Sequence, residues 1–245
     1  MTALGYAFER LCWLSYAPFL LHTALNNPGY FGHLTYWTLT LHAVYFTVDK
    51  ASPHSSGAIY LLHGASFAGA IAVFIGYSFI SIGGMYRFGS WLAWENAVGA
   101  RAGTVHHDRG LAELVVQKAY EHVWPVVAAL LDAHYNREHL VRAFAGARPL
   151  RTTLLAVGSY LAFGTVWEQV MKGTGKGSPL DVYVQPEGMA TSAILGLLGI
   201  KAPGLPEDLI FTNLQKLLLV SGALYVYWAV IVPLMKVVKN KGKAQ

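Results

Sequence analysis

Long apolar runs, separated by short polar or Gly/Pro-rich stretches, dominate the chain. A helix that crosses the hydrocarbon layer of a bilayer needs about 20 mostly apolar residues. Six runs approach that requirement, at residues 10–25, 28–49, 58–82, 111–134, 153–171 and 209–238. The pattern predicts an all-α fold, a polytopic membrane helix bundle of about six transmembrane helices. Asn27 suits the N-cap of the second helix, with Pro28 at its first helical position. Two long connections remain. Residues 83–110 carry Trp91 and Trp94, which suit a membrane–water interface. Residues 173–207 are rich in Gly and Pro, and their apolar stretch at 188–200 is too short to span. No boundary for a second domain and no internal repeat is visible, so 1–245 reads as one integral membrane domain.

Composition strengthens this picture. Of 245 residues, 54% are hydrophobic and 13% charged, where a soluble domain carries about 25% charged residues. Too few solvating side chains are left to cover a water-facing surface. The net charge is +5, yet the basic residues form no stripe with interleaved aromatics, which argues against nucleic acid. Arg10, Lys50, the arginines of 137–151 and the C-terminal lysines fall on one side of the expected spans. Arg87, Arg101, Arg109, Lys172, Lys176 and Lys201 fall on the other, mostly in long loops. The positive-inside rule then puts both termini on a cytosolic or matrix-like side. Whether this multi-pass protein belongs to an endomembrane or to the mitochondrial inner membrane stays open. The apolar stretch 11–25 is followed by Asn26, Asn27 and Pro28 rather than small residues, so no cleavable signal is expected. Cys12 is the single cysteine, which rules out an internal disulfide and a cysteine zinc site.

Ionisable groups inside a spanning helix are costly and become functional candidates by default. They are His22, His42, His63, Glu113, Lys118, Glu121, His122, Asp132 and Glu168. The densest patch lies in the fourth run, where Lys118 and Glu121 are spaced to pair. Pro125 removes the hydrogen bond to the carbonyl of Glu121 and permits a kink beside His122. His122 reads either as a cavity residue or as a hydrogen-bonded interhelical histidine. Bis-histidine haem needs two histidines at matching depth on facing helices. His63 lies near one end of its run and His122 near the middle, so no cofactor and no metal is expected. A stripe of small residues at Ala68, Ala72 and Gly76 lets another backbone approach closely, either a helix of this chain or another membrane subunit.

Three segments carry a resemblance. His33 to Phe46 reads HLTYWTLTLHAVYF, with Leu-Thr-Tyr opening an apolar run that ends Ala-Val-Tyr-Phe. His122-Val-Trp-Pro125 is followed by Asp132, ten residues after the histidine. Tyr160 and Trp167 precede Pro179 and Tyr183. In order and spacing these resemble the second, fourth and fifth spans of the FAR-17a/AIG1-like (androgen-induced protein) family, the fourth by its fungal-type pattern. Some animal members are threonine hydrolases that cleave fatty-acid esters of hydroxy fatty acids inside the membrane. The resemblance implies Thr35 as nucleophile and His122 as base, with membrane lipids as partners. The chemistry is coherent, since a hydroxyl nucleophile needs an adjacent base. By helical rise, Thr35 lies about 10 Å from Pro28 and His122 about 16 Å from Leu111, so their depths are comparable. In the animal enzymes the histidine lies farther ahead of the proline. Glu121, Asp132 and Glu168 are equal candidates to orient His122 or line a cavity. The competing expectation is a non-catalytic accessory subunit of a larger membrane complex in an energy-converting membrane, docked through Ala68, Ala72 and Gly76.

Overall fold

The computed structural model describes residues 3–26, 31, 34–101, 110–143 and a few positions between 159 and 170. Among the described residues seven α-helices occur in order: α1 (Ala3–Asn26), α2 (Leu34–Tyr45), α3 (Ser56–Phe88), α4 (Trp91–Arg101), α5 (Leu111–Lys118), α6 (Trp124–Tyr135) and α7 (Arg137–Ala143). A π-helical turn, Ala119–Val123, joins α5 to α6 in one column. The described residues contain no strand, and the fold is all-α.

Side-chain pairs fix the directions of the columns. On α1, Phe8 meets Phe46 just beyond α2, whereas Tyr16 stacks on His42 within it. Phe8 also meets Tyr135 at the end of α6, while Tyr120 of the π turn donates to the carbonyl of Ser15. Thus α1 runs antiparallel to both α2 and α5–α6. On α3, His63 faces Asp132 of α6 and Tyr77 faces His122 of the π turn, so these columns are antiparallel too. The result is an up-and-down bundle of four columns, α1, α2, α3 and α5–α6.

The α2–α3 contact is close because Gly69 has no side chain. A Cβ there would fall 2.6 Å from Thr38 Oγ1. On the same helix, Ala68, Ala72 and Gly76 are buried within this chain, the first two in the cluster that holds Leu39 and Ala128. The small-residue stripe is therefore packed within this chain.

The first four apolar runs correspond to the four columns, with shifted ends. α1 begins at Ala3, and α3 continues to Phe88. α2 begins at Leu34; Asn27 and Pro28 lie outside the described residues, as do the runs 153–171 (apart from isolated positions) and 209–238. Among the described residues one helix, α3, is long and apolar enough by itself to cross a membrane. The column at 111–135 falls short of that length because the π turn divides it. The widened turn ends two residues before Pro125, whose ring and missing N–H disfavour a regular α-turn with the carbonyl of Glu121.

The stretch 83–110 departs most from expectation. Instead of a surface connection, α3 ends at Gly89, whose φ of 77° is the left-handed conformation that glycine adopts without strain. α4 then folds back onto α3. Trp94 is 3% exposed and packs on Gly84, so it is a core residue and not an interfacial anchor.

Polarity is distributed inside out. Leu11, Leu14, Leu21 and Leu25 of α1, Val116 of α5 and Leu130 of α6 point outward, while Glu9, Lys50, Glu95, Glu121 and Asp132 are buried.

Candidate functional site

Two ionic networks occupy the interior. The first is built where α2, α3, α4 and the π turn meet. Glu121 Oε1 accepts from Tyr36 Oη of α2 at 2.9 Å and from Gln117 Nε2 at 2.7 Å. Its other oxygen lies 3.2 Å from Lys118 Nζ. Lys118 also reaches Glu95 of α4 at 3.4 Å. Glu95 in turn accepts from Tyr77 Oη of α3, and that hydroxyl accepts from Trp91 Nε1 at 3.0 Å. Spacing places Gln117, Lys118 and Glu121 on one stripe of the helix, and the fold-back at Gly89 delivers the second carboxylate.

His122 borders this network. Its ring stacks on Tyr77 with centroids 3.8 Å apart. Nδ1 lies 3.1 Å from the carbonyl oxygen of Lys118 and 4.0 Å from Glu121 Oε2. A carbonyl only accepts, so this bond requires the proton on Nδ1. In the neutral ring the lone pair then sits on Nε2.

The second network closes the other end of the bundle. Lys50 Nζ lies 2.7 Å from Glu9 Oε1 and 3.9 Å from Asp132 Oδ1. Asn136 Nδ2 donates to both carboxylates, at 2.7 and 2.8 Å. Tyr45 Oη donates to Asp132 Oδ2, and His63 Nε2 lies 3.6 Å from that same oxygen. Lys50 also sits 4.2 Å above the Tyr45 ring, a cation–π contact. Burying an ion pair repays its desolvation only when the remaining polar atoms are hydrogen-bonded, and here amide and phenol donors supply those bonds.

The expected site residues are distributed unevenly over this framework. Glu121 and His122 are buried side by side, and Lys118 pairs with Glu121 as its spacing predicts. Asp132 does not orient His122. It lies about 15 Å farther along the helix by rise, where it faces a different histidine, His63. Glu168 lies outside the described residues. Thr35 is half-buried on the first turn of α2. No hydrogen bond joins it to His122 among the described residues, but the Tyr36–Glu121 bond links the positions next to them. His22 and Glu113 are exposed, so they leave the set of buried groups.

Several participants have no counterpart among the expected residues. Lys50 counts by sequence as a sidedness signal at the end of the second run, yet it is 1% exposed. Glu9 falls just outside the apolar runs that define the spans and Glu95 lies within the connection 83–110, so a search confined to those runs passes them by. Tyr36, Tyr45, Tyr77 and Asn136 read as ordinary aromatic or polar positions until their carboxylate partners are known. Thr38 is buried where Thr35 is not, and its hydroxyl has no hydrogen-bond partner among the described residues.

Comparison with known proteins adds no relative: no family model, curated protein or solved structure matches the chain.

Proposed function

We propose that the chain is a multi-pass membrane protein that hydrolyses fatty-acid esters, with Thr35 as nucleophile and His122 as general base, in the manner the FAR-17a/AIG1-like resemblance implies. The observation that carries this reading is the contact between His122 Nδ1 and the Lys118 carbonyl. It holds the imidazole in the tautomer whose Nε2 can accept a proton. In this mechanism Nε2 takes the hydroxyl proton of Thr35 as its oxygen attacks the ester carbonyl. The imidazolium then returns that proton to the departing alcohol, and water releases the acyl group from Thr35 by the same route. Glu121, 4.0 Å from Nδ1, favours the imidazolium electrostatically. The Tyr36–Glu121 bond supports a common level for Thr35 and His122.

The inside-out polarity supports a lipid setting. Outward leucines on α1 with carboxylates and lysine inside suit hydrocarbon better than water. Activity on a fluorogenic fatty-acid ester in detergent tests the proposal. Thr35→Ala and His122→Ala should each abolish turnover, and a fluorophosphonate probe should label the wild type but not Thr35→Ala. Normal turnover in either variant overturns the assignment.

A second reading, an accessory subunit of a membrane complex, has one observation in its favour. Exposed Leu4, Leu11, Leu14, Leu21 and Leu25 recur on α1 at intervals of seven, three, seven and four residues, the spacing of a helix-packing seam. On this reading the protein co-migrates with a larger assembly on a native gel in mild detergent. Migration as a free monomer removes it.

A further inference from the structure

We propose that the bundle conducts protons across the membrane along the inward face of α2, between the Asp132 network and the Glu121 network, with His42 as the relay. The proposal rests on the membrane setting proposed above and not on ester hydrolysis.

The two networks are built alike. Among the described residues each contains two carboxylates and one ammonium: Glu9, Asp132 and Lys50 in one, Glu95, Glu121 and Lys118 in the other. Each therefore has room for one further proton before its charges balance, and a low-dielectric interior favours that balance. Each also has an imidazole near a carboxylate, His63 at 3.6 Å from Asp132 and His122 at 4.0 Å from Glu121. His139 of α7 and Cys12 of α1 are further titratable groups within electrostatic range of Asp132.

α2 connects them. Tyr36 bonds to Glu121 and Tyr45 to Asp132, so the stretch between the networks is about 14 Å of helix. The buried polar side chains on that stretch are Thr38 and His42, beside the apolar Trp37 and Leu39. His42 is 1% exposed, yet neither ring nitrogen has a hydrogen-bond partner among the described residues. Thr38 Oγ1 is in the same condition, and so is Tyr16 Oη of α1, whose ring stacks on His42. His63 of α3 is the titratable group that faces His42 from the other side. A neutral imidazole always carries one N–H and one lone pair. Leaving both unmet in a core costs free energy, and the usual remedy is buried water. Water at His42 and Thr38 completes a hydrogen-bonded chain from one network to the other.

Transfer along such a chain needs no redox partner. A proton leaves the Asp132–His63 pair for a bridging water and binds the free nitrogen of His42. The opposite nitrogen releases its proton to the water beside Thr38, which passes it on to the Glu121 network. Each hop breaks one N–H or O–H bond and forms another. Lys118, with 21% of its side chain exposed, is the most exposed charged group of the Glu121 network. Chains of Asp, Glu and His within membrane segments serve as proton relays in this way.

The test uses the full chain in phosphatidylcholine vesicles holding a pH-sensitive dye, with valinomycin and potassium to prevent charge build-up. Vesicles are first washed in alkaline carbonate. Protein lost in the wash overturns the membrane setting and the relay together. With the protein retained, the wild type should collapse an imposed pH step faster than protein-free vesicles. His42→Phe keeps the ring and removes both nitrogens, and should lower the flux to that of protein-free vesicles, as expected for loss of an essential relay group. Should His42→Phe fail to fold, His42→Gln keeps hydrogen bonding but cannot pass a proton, and should also lose the flux. Thr35→Ala should retain proton flux while losing ester turnover, which separates the two proposals. Wild-type flux equal to that of empty vesicles, or wild-type flux in a folded His42 variant, overturns the relay.

Discussion

Tyr36 of α2 donates to Glu121 of the π turn at 2.9 Å, across 85 residues of chain. Each partner is the immediate neighbour of a candidate catalytic residue, Thr35 on one side and His122 on the other. The bond therefore sets the level of α2 against the π turn. Tyr36→Phe keeps the ring, which stacks on Phe19, but takes a donor from a buried carboxylate. The expected cost is about 1–3 kcal/mol of stability, the usual penalty for a charged group that loses a buried partner. A melting curve in detergent measures it. On the hydrolase proposal, ester turnover falls as well while the protein remains folded.

Lys50 is the least replaceable residue of the second network. Lys50→Met leaves Glu9 and Asp132 buried together without their cation. Breaking a buried ion pair from one side costs roughly 3–5 kcal/mol. Thermal unfolding should show that loss for Lys50→Met and for Lys50→Ala. The double variant Glu9→Gln/Lys50→Met should recover part of it, since one uncompensated charge has gone.

Gly69 admits α2 to α3. Gly69→Ala places a Cβ 2.6 Å from Thr38 Oγ1, and overpacking of this kind costs about 1–3 kcal/mol. Thr38→Ala in the same chain removes the atoms in the way and should restore most of the stability. An equal loss in the single and double variants would show that the contact is not the cause.

Cys12 offers a direct reporter of α1 packing. It is the single cysteine and fully buried. A maleimide should leave the folded protein unlabelled in mild detergent and label it after denaturation. Lys50→Met should label faster than wild type, because the Glu9 anchor of α1 is released. Rapid labelling of the native wild type would contradict the burial of this helix face.

How far the sequence reveals this architecture depends on the residue. Apolar runs locate the four described columns, because a long helix with apolar outer and inner faces leaves an unbroken signal. They misplace helix ends, since Glu9 and Arg10 interrupt the hydropathy of α1 while the backbone continues through them. The Lys118–Glu121 pair is visible because its spacing is local. Glu95 and Lys50 are not, because their burial depends on partners from other helices, 23 residues away for Glu95 (Lys118) and 41 for Lys50 (Glu9). Asp132 shows the limit most clearly. Its place on the same helix as His122 suggested a shared site, whereas eleven residues from Glu121 carry it to the opposite network. The runs at 153–171 and 209–238, and Glu168 with them, lie outside the described residues.

The turn at Gly89 has a consequence for how this chain can vary. Glu95 reaches Lys118 only because α4 starts at Trp91 in one rotational phase. One residue inserted between Phe88 and Trp91 turns α4 by about 100° about its axis and swings Glu95 away from its lysine. A substitution at Ser90 removes the bond its hydroxyl accepts from the Ala93 N–H but leaves that phase intact. Related chains should therefore keep the length of this corner more strictly than its composition, so a gap placed there in an alignment would mark a protein that has lost the first network.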